Sequence, residues 1–375
     1  MRPLGDIMVS RPGTLKPSQY PEETFDLYSI PAHDKGGKEI LSGANIGSAK
    51  QLVKPGDVLL SKIVPHIRRA AIVEPQNEHR QIASGEWIIF RSPLVDSRYL
   101  RHYFLSDEFH AQFMNTVAGV GGSLLRARPQ FVRDIPMPIP PLDEQRRIAA
   151  ILDQADAIRT RRHEQLRMYL ALKREVFHAM FFNQNNLKCL GDVADLVSGS
   201  TLPAGENFSQ QLDGYLLMKV SDMNLPGNGV KVGKTGLWYA GPAPKATTVP
   251  AGAVVFPKRG AAIATNKKRL TTRNTVLDPN LMGVLGDNTL VCSEYLLAWL
   301  NNFNLSSIAS GSSIPQLNKK DLRPVKIHVP PLELQREFST RTSAIDGQVS
   351  RVENALDRDN ELYTSLQAQA FKGEL

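Results

Sequence analysis

Two stretches of the chain carry a regular apolar spacing that the rest lacks. From Leu142 to Phe182 there is neither Pro nor Gly, and from Leu332 to Phe371 there is one break, Gly347. Both are rich in helix formers. In the second stretch Phe338, Thr342, Ile345, Val349, Val352, Leu356, Asp359, Tyr363, Leu366 and Ala370 step by four and three in turn. That period of about 3.5 marks the seam of a coiled coil. Ile148, Leu152, Ala155, Arg159, Arg162, Leu166, Tyr169, Lys173, Val176 and Met180 hold the equivalent places in the first stretch, a seam apolar at both ends and basic in the middle. Each stretch predicts a helix roughly 60 Å long, too long for an ordinary buried element. The simplest arrangement buries the two seams against each other. Pro140-Pro141 and Pro330-Pro331 suit the entry to each first turn.

The remainder reads differently. Residues 1–139 and 183–329 carry short apolar runs, DVLLSKIV and AVVFP among them, between turn signals such as KPGD, GVGGS and LPGNG. Each predicts a small mixed α/β head. SRYLRHYFLSDEFHAQFM and SEYLLAWLNNF have helical spacing, and their aromatics are expected in the core rather than on a base-stacking platform.

The two halves repeat one another. IPPLDEQRRI begins at Ile139 and VPPLELQREF at Val329, so that Gln145 falls on Gln335 at an offset of 190. At the same offset Asp156 falls on Asp346, Leu166 on Leu356 and Phe181 on Phe371. Upstream, VDSRYLRHYF from Val95 matches VCSEYLLAWL from Val291 at an offset of 196, and LGDI from Leu4 matches LGDV from Leu190 at 186. The offsets drift by loop-sized amounts while the order holds, the mark of tandem duplication. The expected fold is α+β: a head over 1–139, a long helix over 140–182, a second head over 183–329 and a second long helix over 330–375.

Composition narrows the function. There are 45 Lys and Arg against 37 Asp and Glu, a net charge of +8 that mildly favours a polyanionic partner. No run approaches the roughly 18 apolar residues of a membrane span, and the N-terminal MRPLGDIMVSRPG has no apolar signal core. A cytoplasmic protein without a membrane role is expected. Cys189 and Cys292 lack metal-ligand spacing and read as free thiols; no metal site is expected.

Catalytic motifs are missing. No Asp or Glu has Lys two places on, as metal-dependent nucleases require, and neither Pro-Pro follows Asn or Asp, as amino-methyltransferases require. GNGVKVGKT falls short of a phosphate loop, because Asn228 stands where the pattern needs Gly. No catalytic residue is assigned. What remains is basic loops at matching places: Lys62, Arg68, Arg69, Arg126, Arg128 and Arg133 in the first head, and Lys258, Arg259, Lys267, Lys268, Arg269 and Arg273 in the second. Lys and Arg beside Gly suit phosphate contact, and Asn266, Asn274 and Gln316 are candidates for base edges.

PPLDEQRRIAAILDQADAI, PPLELQREF and the terminal QAFKGEL resemble the conserved regions of specificity subunits from Type I restriction–modification systems. GGSLLRARPQFVRDIPMPIPPL and GSSIPQLNKKDLRPVKIHVPPL resemble the ends of that family's target-recognition domains. The resemblance spans the chain in order and implies two such domains separated by two long antiparallel coiled-coil helices. It implies that each reads half of a bipartite double-stranded DNA site while the helices set the gap. Two methyltransferase subunits, which use S-adenosylmethionine, and restriction subunits, which use ATP and Mg, would be the partners, with no cofactor on this chain. Ile148, Leu152, Leu166, Val176, Phe338, Ile345, Val352, Leu356 and Leu366 would serve helix pairing and docking. A coiled-coil scaffold without DNA reading and a self-sufficient DNA-modifying enzyme are the alternatives.

Overall fold

A computed structural model describes residues 1–76, 78–118, 125–182, 186–242, 244–311 and 314–375; the turn signal at 119–123 lies outside them. The chain divides into two compact units. One comprises Met1–Arg159 with Asp359–Leu375, the other Thr160–Arg358. Both expected helices form, over Leu142–Phe181 and Leu332–Lys372, and each contributes one part to each unit.

In the first unit the run DVLLSKIV becomes the strand Val58–Ser61, buried at every position, which is why it reads as continuously apolar rather than alternating. It lies between Ala70–Ile72 and Trp87–Phe90, antiparallel to both. A five-stranded sheet orders Thr14–Leu15, Lys50–Leu52, Arg80–Ala83, Thr24–Tyr28 and Glu39–Ser42, with Thr24–Tyr28 parallel to Arg80–Ala83. Asp96 caps the helix Ser97–Phe104 by accepting from the Arg98 and Tyr99 amides. Tyr99, Tyr103, Phe104, Phe109 and Phe113 are buried, as core aromatics should be. Phe371 of the second long helix packs edge-on against Tyr99 and Tyr103, with centroids 5.4 and 5.2 Å away.

The second unit repeats this plan. Val254–Pro257 lies between Arg269–Thr271 and Leu281–Gly286, antiparallel to both, and Tyr215–Met218 runs parallel to Thr275–Leu277. Helix Ser293–Asn302 stands where Ser97–Phe104 stands in the first unit. Tyr99 Oη donates to the Pro138 carbonyl, and Tyr295 Oη to the His328 carbonyl. The LGD stretches also match: the Leu4 and Gly5 amides bond to Ile135 and Arg133, the Leu190 and Gly191 amides to Val325 and Arg323. Duplicated sequence has produced duplicated contacts.

Every seam position named above is buried or half-buried, Gly347 included in neither seam and lying exposed within an unbroken helix. In the first unit Ile148, Ala149, Leu152 and Ala155 share one core with Tyr363, Ala370 and Phe371, with Leu366 packed against it. In the second unit Phe177 and Phe181 share a core with Phe338, with Val176 and Met180 packed on it. These contacts pair the helices antiparallel within each unit. Phe338 is fully buried with Phe177 and Phe181 centroids 5.7 and 5.4 Å away; burying such a side chain is worth about 1.5–3 kcal/mol. The basic seam positions have polar or aromatic partners on the facing helix. Arg159 lies 4.3 Å from the Tyr363 ring centroid and donates to Asn360 Oδ1 at 2.8 Å, while Lys173 Nζ reaches Asp346 Oδ1 at 2.5 Å.

Candidate nucleic-acid interface

In each unit the loop after the central strand pairs with a second loop just ahead of the LGD-bonded segment. In the first, Ile63 bridges Arg126, the Val64 amide donates to Leu125 and the Ala127 amide to Lys62. In the second, Arg259 bridges Gln316, the Gly260 amide donates to Pro315 and the Leu317 amide to Lys258. The same backbone device therefore presents Lys62 and Arg126 in one unit and Lys258, Arg259 and Gln316 in the other. Extended segments held at both ends project such side chains at low entropic cost.

Around the first paired loop, Lys62, Pro129, Gln130 and Arg133 line a cleft of about 570 Å3. Lys62 and Gln130 also line one of about 410 Å3 with Arg126 and Arg128. Arg126 holds Glu86 at 3.1 Å; such an exposed pair is worth little and is easily exchanged for phosphate. Around the second, burial depresses the Lys258 pKa, and Arg259 and Lys319 push it down further. Crowded cations of this kind gain from an anion that relieves their repulsion. Arg259 donates to Gln316 Oε1 at 3.4 Å, and Gln316 Nε2 to Asn318 Oδ1 at 3.0 Å.

Several expected contacts lie elsewhere. Arg69 is 9% exposed and grips Asp34 with two bonds of 2.6 and 2.8 Å. Lys268 is 2% exposed, donates to Asn266 Oδ1 and the Phe303 carbonyl, both at 2.8 Å, and burial lowers its pKa to about 8. These two are corrected from phosphate contacts to internal ties, since both are buried, Arg69 holding Asp34 through Nε and Nη2 and Lys268 held by two acceptors, and neither is offered to a duplex. Arg68 pairs with Asp107, and Arg269 donates to the Asn228 and Lys268 carbonyls. Lys267, Lys268 and Arg269 line a cleft of about 420 Å3 with Phe177, Val349 and Glu353, away from the paired loop. Arg273 stacks over Trp238 at 4.6 Å, and Asn274 is exposed. Asn228, the misfit of the phosphate-loop pattern, is buried and staples its own turn, donating to Asp222 and Lys234 carbonyls at 2.8 Å.

Three polar residues beside the paired loops escaped the sequence reading. Gln130 sits in the short helix Pro129–Val132, and Lys319 and Lys320 open its counterpart Lys319–Leu322. The signal was present in the offset of 190 that carries Gln130 onto Lys320.

The duplicated heads, each built on a central strand flanked by two antiparallel neighbours and on a sheet with one parallel pair, and each carrying part of a paired long helix, define a two-repeat protein of heads and long helices. Residues 37–168 and 184–358 match the Type I restriction modification DNA specificity domain, and the chain belongs to that family, the specificity subunits of Type I restriction–modification systems. Over 96 residues it is 34% identical to the Type I restriction enzyme EcoDI specificity subunit of Escherichia coli, a match covering 24% of this chain and 22% of that one. The S subunit of a Type I restriction-modification system from M. genitalium shares the fold, at 13% identity and a TM-score of 0.53, over 99% of this chain and 95% of that one. The HsdS subunit from Thermoanaerobacter tengcongensis matches 99% of this chain and 96% of its own at 21% identity, with a TM-score of 0.42. Among the described residues no helix is long and apolar enough to cross a membrane.

Proposed function

We propose that this chain reads a bipartite double-stranded DNA site for a methylation and restriction complex, one half-site per unit, with the paired helices fixing the unspecific gap. One observation carries the reading: the same paired loop, bearing cations, recurs at equivalent places in both repeats. A single domain reading a few base pairs discriminates weakly, since each correct pair is worth roughly 1–3 kcal/mol. Two domains on one spacer multiply that selectivity. In this reading two methyltransferase subunits, which bring S-adenosylmethionine, dock on the helices, and restriction subunits bring ATP and Mg. The chain itself supplies recognition rather than catalysis.

The test is to express the chain with its neighbouring methyltransferase subunit and sequence the cellular DNA for modified adenine. A new bipartite motif with a fixed gap and methylation in both halves supports the proposal. A stable complex that leaves no new methylation contradicts it.

A further inference from the structure

The paired loops differ at one position. Val64 has a φ of 50°, and its counterpart Gly260 a φ of 70°. Glycine takes the left-handed region freely, whereas a β-branched residue there is an outlier. Val64 also precedes Pro65, and a following proline itself favours extended backbone. The loop nonetheless keeps the strained residue, closing the turn with the Ile67 amide on the Val64 carbonyl at 2.9 Å.

Packing does not explain it. Among the described residues Val64 belongs to none of the buried apolar clusters, and it is only half-buried. Ile67, at the other end of the turn, is 44% exposed. The turn therefore shows an apolar tip, and Lys62 and Arg126 are drawn to its base by the bonds that pair the loops. Strain of this sort persists where a side chain is needed for contact with a ligand. On a duplex, cations take the phosphates, and the apolar feature that a base edge offers in the major groove is the thymine methyl.

We infer that Val64, supported by Ile67, is a specificity-determining residue that contacts a thymine methyl in the half-site read by the first unit. This rests on the DNA-reading proposal above and adds to it a residue and a chemical group. At the equivalent place the second unit has a glycine and makes no such contact.

The full chain, Val64→Gly and Val64→Asn are each used to select duplexes from a randomised pool; Asn tolerates the left-handed region. The wild-type chain selects thymine at one position of one half-site. Both variants keep the other half-site and the gap but lose that preference. In the selected duplex, deoxyuridine at that position weakens wild-type binding by about fourfold, the effect of one buried methyl, and leaves Val64→Gly binding unchanged. Val64→Gly melts no lower than wild type. An unchanged motif in both variants, indifference of the wild type to uracil, or a lower melting point for Val64→Gly overturns this inference alone. A wild-type chain that selects no bipartite motif overturns the DNA-reading proposal and this inference together.

Discussion

Gln145 and Gln335 make the same three hydrogen bonds, each inside its own unit. Gln145 Oε1 accepts from the Asp96 amide at 2.8 Å, and its Nε2 donates to the Leu94 and Pro140 carbonyls at 3.0 and 2.8 Å. Gln335 Oε1 accepts from the Cys292 amide at 2.8 Å, and its Nε2 donates to Leu290 and Pro330 at 2.8 and 2.7 Å. Both side chains are fully buried. Each ties the first turn of a long helix to the loop that starts a head helix, a shared role for the glutamine that follows Pro-Pro-Leu at the same distance in both repeats. Replacing either with Ala strands an amide and two carbonyls, each costing about 1–3 kcal/mol when buried. Urea unfolding should show each variant destabilised by about 3 kcal/mol or more. Hydrogen exchange at the Asp96 amide should rise in Gln145→Ala and stay unchanged in Gln335→Ala.

Gly347 is the weak point of the second helix. It is exposed, its helix continues through it, and a Cβ added there meets nothing within 4 Å. Gly347→Ala should stabilise the chain by about 0.5–1 kcal/mol by reducing the entropy lost on folding, read as a higher melting temperature. No loss of DNA affinity should accompany it.

His102 makes the first unit sensitive to acid. It is buried, with Nε2 2.8 Å from Asp153 Oδ1 and Nδ1 2.9 Å from Tyr363 Oη, while Gln367 donates to its carbonyl. Burial lowers its pKa from 6.5, Asp153 and Asp156 oppose that shift, and Arg101 assists it. Because the folded pKa lies below the unfolded one, the unfolded chain takes up the proton first as pH falls. The stability from neutral His102 is complete above about 6.5 and is lost on acidification towards the folded pKa. His33 and His110 are shifted the same way, so the diagnostic is a difference. His102→Asn should lose less stability between neutral and mildly acidic pH than the wild type does.

Salt dependence should separate surface cations from internal ones. Each lost phosphate contact lowers the slope of log affinity against log salt by about one. Lys62→Ala, Arg128→Ala and Arg259→Ala should each flatten that slope. Arg69→Ala and Lys268→Ala should lower the melting temperature and leave the slope of the folded protein unchanged. A flattened slope for Lys268→Ala would restore it to the interface.

These contrasts mark where the sequence was legible. The helix seams were readable because a period of about 3.5 is written into the order of residues, and the duplication was readable because its offsets hold over long stretches. The roles of single cations were not. Nothing near Arg69 in the sequence announces Asp34, 35 residues away, and the carbonyl that holds Lys268 belongs to Phe303. A basic residue looks the same in sequence whether it faces water or closes an internal bond. Val64 was equally silent, since a backbone angle is set by the loop that pairs with it.

The central claim, that the paired helices set the distance between two half-sites, is tested most directly by lengthening them. One heptad inserted after Ala157 and another after Arg358 preserves the seam period in both helices. The methylated motif of cells carrying this variant and the methyltransferase subunit should keep both half-sites and show a longer gap. An unchanged gap, in a variant that still methylates, would contradict the account.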